Sequence, residues 1–316
     1  MSDTTGPTRA GFAAIIGAPN AGKSTLVNRL VGSKVSIVTQ KVQTTRFPVR
    51  GVAMEGAAQI VLVDTPGVFA PRRRLDRAMV RAAWNGAEDA DAVVHLVDVR
   101  AELAGEEGSA KGADRLAVQD TRTVIEGLKK AGLTAILAIN KIDGVKRERL
   151  LAVTKELFDS GAYGEAFMIS ATKGEGVDHL KTRLGALMPE GPWLYPEDQA
   201  ADIPARLLAA EITREKLYLR VHDELPYAAT VETTAFEMKK DGSARLEQTI
   251  YVERETQRGI IVGAGGQTLK WIGKASREEL AEIFGYPVHL FLHVQVKETW
   301  AEERGAFEGM GLDFDV

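Results

Sequence analysis

Residues 12–25 read Phe-Ala-Ala-Ile-Ile-Gly-Ala-Pro-Asn-Ala-Gly-Lys-Ser-Thr, and this stretch decides the fold. The apolar run Phe12–Gly17 predicts a strand buried on both faces, and Gly22–Val31 has the spacing of a helix. Between them Gly17-Ala18-Pro19-Asn20-Ala21-Gly22-Lys23-Ser24, with Thr25 behind it, fits G-x-x-x-x-G-K-[ST] in the strand–loop–helix setting that the pattern requires. The glycines let backbone N–H groups turn inward around phosphates, and the helix N-terminus adds its positive dipole end. In such a loop Lys23 reaches the β- and γ-phosphates and Ser24 ligates Mg2+. A bare glycine turn before a helix is the plain alternative. The strand and helix on either side make it remote.

Working outward, buried-strand patterns recur at Ala58–Asp64, Ala92–Asp98, Thr134–Asn140 and Ala166–Ser170. Helix patterns separate them at Leu75–Glu88, Asp120–Ala131, Arg147–Ser160 and Val177–Leu187. The alternation predicts an α/β domain of the P-loop NTPase kind, with a mostly parallel sheet and right-handed crossovers. Val49–Glu55 reads as an antiparallel edge strand, and Ala101–Lys111, rich in Gly, Ala and Glu, as a surface loop.

Two more strand ends carry chemistry. Asp64-Thr65-Pro66-Gly67 puts a carboxylate where it can hold Mg2+ through water, and Gly67 lets its backbone N–H approach a γ-phosphate. Standing alone, that tetrapeptide would be an ordinary turn. Asn140-Lys141-Ile142-Asp143 ends a later strand. The Asp143 carboxylate can accept from both the ring N–H and the exocyclic amino group of guanine. Adenine offers no such donor pair, so Asp143 reads the base, and a wrong base leaves buried groups unpaired. Asn140 and Lys141 brace the loop and cover the ring. In Ser170-Ala171-Thr172, after the next strand, the Ala171 N–H is a donor for the guanine carbonyl. A site for GTP and GDP with Mg2+ follows.

The chain has 316 residues, enough for two cores, with 45% hydrophobic and 27% charged residues. It contains no cysteine, which excludes disulfides, a thiol nucleophile and thiolate-bound metal. A net charge of −4 argues against coating nucleic acid by charge alone. The polar N-terminus, with Asp3, lacks a secretory core, and no apolar run reaches membrane-span length. The expected domains are 1–188, a proline-rich linker over 189–203 that contains Pro189, Pro192 and Pro196, and 204–316. Beyond the linker the order becomes helix (Ala205–Val221), strand (Ala228–Met238), strand (Ala244–Val252), helix, helix (Gln267–Phe284), strand (Val288–Val296). Asp241-Gly242 makes the hairpin turn. A short helix near Trp300 and a tail close the chain. Gly263-Ala264-Gly265-Gly266 resembles the G-x-x-G of a KH domain, and the order is similar to that of the smaller α+β type II KH fold. Such a loop lets a nucleic-acid backbone come close, and the adjoining groove takes a short single strand. Arg258, Lys270 and Lys274 supply local positive charge. In a glycine-rich chain the loop alone would be a weak signal. His95, His289 and His293 read as structural.

These motifs resemble the TRAFAC GTPases. The phosphate loop, Lys41-Val-Gln-Thr-Thr-Arg46 and Asp64-Thr-Pro-Gly67 look like the bacterial Era family over nearly the whole chain. Ala264 stands where family members often carry lysine. The resemblance implies a slow GTPase in which switch I supplies a threonine to Mg2+, with Thr45 favoured over Thr44. Lys23, Asn20, Thr45 and Gly67 are its expected catalytic group. Val68 occupies the position of the Ras-like glutamine, so no side chain there orients water. A cis arginine finger from Arg72, Arg73 or Arg74 is the minor alternative to a solvated basic loop. In related glutamine-lacking GTPases the asparagine equivalent to Asn20 helps bind K+, which implies K+ here. The resemblance also implies a cytoplasmic monomer that binds the 3′ end of small-subunit (16S) rRNA and aids 30S ribosomal subunit maturation. It implies peripheral contact with the inner face of the cell membrane as a second location. The alternatives are a membrane-associated or cell-cycle regulatory GTPase whose KH-like domain docks proteins, and a passive RNA-binding protein that holds nucleotide without turnover.

Overall fold

β1 (Arg9–Ile16) lies at the centre of a seven-stranded sheet in the order β6-β5-β4-β1-β3-β2-β7. This computed structural model describes residues 7–41, 43–221 and 225–316. The polar start with Asp3, and Val42 of the switch motif, lie outside the described residues. The other strands are β2 (Val49–Glu55), β3 (Ala58–Asp64), β4 (Ala92–Asp98), β5 (Ala135–Asn140), β6 (Tyr163–Met168) and β7 (Ala201–Asp202). β1 pairs parallel with both β3 and β4, and among the described strands only β2 runs against the rest, antiparallel to its neighbours β3 and β7. The chain therefore leaves β1 where the strand order reverses, the place at which open α/β sheets bind ligands.

The helices are α1 (Lys23–Val31), α2 (Arg74–Glu88), α3 (Val99–Glu106), α4 (Gly112–Ala131), α5 (Arg147–Phe158) and α6 (Val177–Leu187). Every residue of β3 and β5 is buried, because helices cover both faces. On one face Ala13 and Ile15 pack with Leu26 and Leu30 of α1 and Leu180 and Leu184 of α6. On the other, Ala14 and Ile16 pack with Ala83, Val124 and Val153 from α2, α4 and α5. Alternate residues of β1 thus feed two separate cores.

Three expectations change. Ala101–Lys111 is not all loop: α3 starts after Asp98, whose Oδ1 accepts from the Arg100 N–H at 3.0 Å. That cap and the helix formers Ala101, Leu103 and Ala104 outweigh the glycines. β6 sits earlier than its predicted span, because its half-exposed edge position leaves no continuous apolar run to mark it. The proline-rich stretch is bonded to the sheet edge as far as Asp202. Pro189 O accepts from Ala10 N, Leu194 and Tyr195 donate to Gln59 Oε1, and β7 pairs outside β2. β2 is therefore covered at Arg50 and Gly51 rather than being a bare edge.

The chain divides into two compact units: Met1–Ser36, Thr45–Asp202 and Met310–Val316 form one, and Ile37–Thr44 with Ile203–Gly309 the other. The second unit contains α7 (Ala205–Arg220), β8 (Ala229–Met238), β9 (Ala244–Val252), α8 (Glu255–Val262), α9 (Gln267–Phe284), β10 (Val288–Val296) and α10 (Arg304–Gly309). β9 is central, antiparallel to β8 and parallel to β10. α-β-β-α-α-β in this pairing is the type II KH fold. β10 alternates exposed with buried or half-buried residues, so only one face of this sheet is covered by helices. His289 and His293 point to the open face.

Candidate functional site

The phosphate loop, residues 17–24, joins β1 to α1. Gly22 is left-handed (φ 102°), and a Cβ there would come 2.4 Å from Asn140 Nδ2. Only glycine tolerates both the backbone and the approach. Lys23 is buried; its Nζ donates to the Gly17 and Ala18 carbonyls at 3.1 and 2.9 Å. Burial lowers its pKa to about 8, against the opposing charges of Asp64 and Asp120. Phosphate oxygens would restore the charge that burial disfavours. Thr25 lies one residue beyond Ser24 in α1.

The metal donors named from sequence converge. The Ser24 and Thr45 hydroxyls are 2.9 Å apart, and Thr45 Oγ1 donates to Asp64 Oδ2 at 3.3 Å. Asp64 is fully buried; burial pushes its pKa up, while the nearby Ser24, Lys23, Ser36 and Thr45 pull it down. Its Oδ1 has no hydrogen-bond partner. Three hard oxygen donors with one carboxylate oxygen to spare fit Mg2+. Among the described residues no group of three His, Cys, Asp or Glu side chains is placed to hold a metal. Thr44 is engaged elsewhere: its Oγ1 donates to the Lys41 carbonyl at 2.6 Å and lies 2.6 Å from Thr39 Oγ1.

Beyond Asp64, the Thr65 hydroxyl donates to Ile15 O at 2.8 Å. Gly67 is forced by contact: a Cβ there would meet Pro19 Cγ at 2.8 Å and Pro19 N at 3.0 Å. Pro66 joins the two and is buried. Val68 is 1% exposed and packs in the core, so it faces away from any bound water. Arg72 and Arg73 donate their backbone N–H groups to Asp76, while Arg74 stacks over Phe314 at 4.4 Å.

At the base-reading end, Asn140 ties two loops together. Its Nδ2 donates to Ala21 O at 2.8 Å and its Oδ1 accepts from Ala171 N at 3.0 Å. The Ala171 N–H, expected to meet a guanine carbonyl, here donates to Asn140, because the pairing of β5 with β6 brings the side-chain amide up to it. Lys141 Nζ donates to Asn20 O at 2.8 Å and pairs with Asp98 Oδ2 at 2.5 Å. Asp143 Oδ1 accepts from Ser170 Oγ at 2.8 Å, with Lys173 and Arg100 within 3.6 and 3.8 Å of the carboxylate. The Ser170 hydrogen bond, and then those cations, hold its pKa below the usual carboxylate value. It is ionised.

Sequence reasoning missed Asp98, Arg100 and Arg29. Asp98 could have been found, since it ends β4 at the same sheet edge as Asp64 and Asn140. Arg29, on α1, grips the Ala171 and Thr172 carbonyls and had no local signal. His95 is a core residue: its Nδ1 lies 2.7 Å from the Tyr163 hydroxyl, and burial lowers its pKa to about 3, so the ring is neutral.

In the second unit, Gly263–Gly266 links α8 to α9. Gly265 (φ 57°) and Gly266 (φ 76°) are left-handed, and a Cβ on Gly265 would meet nothing within 4 Å. Ala264 and Lys270 are exposed. Arg258 pairs with Glu255 at 2.5 Å and Lys274 with Glu278 at 3.8 Å, so both cations are partly spent. Ile260 and Trp271 flank the loop with 56% and 41% of their surface exposed. Their exposure on the amphipathic helices α8 and α9 was not visible from spacing.

A sheet that gathers the residues expected to meet phosphate, metal and base at successive strand ends, followed by a KH unit, defines a GTPase with an appended KH domain. Residues 12–141 match the family model described as 50S ribosome-binding GTPase, and residues 224–301 match that of the KH domain. GTPase Era of Caulobacter vibrioides is 72% identical over 316 residues, covering all of both chains, and GTPase Era of Maricaulis maris is 59% identical over the same span. The crystal structure of a point variant of Aquifex aeolicus Era bound to GDP.AlF4− has a TM-score of 0.84 at 36% identity, covering 96% of this chain and 99% of that one. Era in complex with MgGDPNP and nucleotides 1506–1542 of 16S ribosomal RNA matches with the same score, identity and coverage. The chain belongs to the Era family of GTPases, and it is an enzyme that hydrolyses GTP to GDP and phosphate.

Proposed function

We propose that this protein is a ribosome-assembly GTPase of the cytoplasm, whose KH unit binds the 3′ end of small-subunit (16S) rRNA as nucleotide state dictates. Ser24, Thr45 and Asp64 would hold Mg2+, which supplies positive charge to the β- and γ-phosphate oxygens. Lys23 adds its own charge there, and the Gly67 N–H meets the γ-phosphate. Asp143 selects guanine. The observation that carries the RNA reading is the Gly263–Gly266 loop of the KH unit, exposed at Ala264 and Gly265, with Lys270, Ile260 and Trp271 exposed beside it. The related Era chain in complex with 16S ribosomal RNA supports the choice of RNA. Among the described residues no helix is long and apolar enough to cross a membrane.

The test is binding of a single-stranded RNA with the 3′-terminal small-subunit sequence, at low salt, with a GTP analogue and with GDP. Affinity should be higher with the GTP analogue, by about 5- to 150-fold for a coupling of usual size. Absence of binding in both states would favour the protein-docking reading.

Hydrolysis without a catalytic glutamine needs another charge beside the phosphates. Asn20 is exposed and left-handed (φ 62°), and its carbonyl is held by Lys141. This fixed loop supports a K+ site with Asn20 as a ligand. GTP turnover should be at least about 10-fold faster in K+ than in Na+ at equal ionic strength. Equal rates would reject the ion; a K+ effect that survives Asn20→Ala would reject the ligand.

A further inference from the structure

Residues Ile37–Thr44, the first part of the switch segment, are built into the second unit. Ile37 is buried among Ala209, Ile212 and Leu280. Val38 N donates to Glu215 Oε1 at 2.8 Å, and Lys41 Nζ donates to Val221 O at 2.8 Å. At the other end, Arg214 Nη2 donates to the Thr44 carbonyl, and Nη1 lies 3.5 Å from the Gln43 carbonyl. Arg214 is 1% exposed. Glu211 fixes its head, accepting from Nε at 2.7 Å and from Nη2 at 2.5 Å. Burial opposes the guanidinium charge, but Glu211 and Tyr218 more than offset it.

The gripped backbone is unusual. Gln43 has a left-handed φ of 57°, a conformation that persists in a non-glycine residue only where its surroundings over-determine it. The next residue but one is Thr45, whose hydroxyl stands beside Ser24 and Asp64. One peptide bond separates the carbonyl held by Arg214 from the threonine that reaches the metal donors.

We propose that Arg214, on the first helix of the KH unit, is a positioning residue for GTP hydrolysis. By gripping the Gln43 and Thr44 carbonyls it holds the Thr45 hydroxyl at the cation. The inference rests on the reading of Thr45 as the Mg2+ ligand. A planar fork suits this task, because it spans two carbonyls and a carboxylate at once. A lysine ammonium is a point charge and cannot. Thr45 is needed when the γ-phosphate is present, so the effect should fall on hydrolysis and its Mg2+ requirement and spare GDP binding.

The experiment measures steady-state GTP hydrolysis against Mg2+ concentration, and GDP affinity, on the full-length protein. Arg214→Lys should lower kcat and raise the Mg2+ concentration for half-maximal rate, each by roughly 10- to 100-fold, as small misplacements of a reacting geometry do. Its GDP affinity should stay within about twofold, since no GDP contact is touched. Removing Arg214 alone leaves Glu211 buried without its partner, so the pair is also removed together as Arg214→Met with Glu211→Leu, which keeps the helix filled. That double variant should show the same Mg2+ shift. A folded double variant with the wild-type kcat and Mg2+ dependence would overturn the proposal. Thr45→Ala, measured alongside, separates the two ideas. If it is impaired while the double variant is not, only the role of Arg214 is lost; if its Mg2+ dependence is that of wild type, the premise fails and the proposal with it.

Discussion

Replacing Asp143 by asparagine is expected to lower GTP affinity by roughly 10²- to 10⁴-fold and to shift preference toward xanthosine triphosphate. Two charge-assisted hydrogen bonds to the base are lost, and the site cannot rearrange to replace them. The Ser170 hydroxyl, which donates to Asp143 Oδ1, will hold the amide oxygen in the same place. The amide nitrogen is then left facing the base with donors where guanine also offers donors. Xanthine presents a carbonyl at that position and accepts one of them. Arg100 and Lys173 lie near the carboxylate but are exposed, so losing those ion pairs adds little. Competition binding with GTP, XTP and ATP measures the effect. Unchanged affinities for both GTP and XTP would mean that Asp143 does not read the base.

Replacing Gly265 and Gly266 together by aspartate is expected to weaken single-stranded RNA binding by at least about 10²-fold. The added carboxylates repel phosphate, and side chains now stand where the nucleic-acid backbone must approach. The fold should survive. Both positions are left-handed, which aspartate tolerates better than most residues. The space is open at Gly265, and at Gly266 the nearest atom to a new Cβ is Lys270 Cε at 4.0 Å. GTP turnover without RNA should therefore stay at the wild-type rate, and circular dichroism should report an intact protein. The dependence of RNA affinity on salt should also flatten, because fewer phosphates are neutralised. A folded double variant with wild-type RNA affinity would turn the KH unit into a protein-docking module.

Much of the first unit was legible because its chemistry is tied to strand ends. β3 and β4 match their predicted spans residue for residue, and β1 and β5 do so within a few residues. Each buried strand is a continuous apolar run closed by the residue that works: Gly17, Asp64, Asn140. β6 was misjudged because an edge strand lacks that run. α3 was misjudged because glycine and glutamate hid a capped helix. In the second unit the five long elements were legible for the same reason, since alternation and helical spacing survive in a small sheet. The bond that the Ala171 N–H makes to Asn140 was not legible for a different reason. Asn140 and Ala171 are 31 residues apart, and their hydrogen bond depends on β5 and β6 lying side by side.

The sequence by itself determined the phosphate loop, the acid at Asp64, the base reader and the order of elements that makes a GTPase followed by a KH unit. Those features are local: a loop, a strand and a helix each carry their own signal within a few residues. Only the tertiary structure decided which side chains meet. It put Thr45 rather than Thr44 beside Ser24 and Asp64, and it made Lys141, Asp98 and Asn20 one cluster. It also buried the charged residues Glu211, Arg214 and Glu215 on α7. The backbone groups that Glu215 and Arg214 hold, on Val38, Gln43 and Thr44, lie 170 or more positions earlier in the chain. No spacing rule reaches that far. A buried charge is stable only against the particular groups that the fold brings to it.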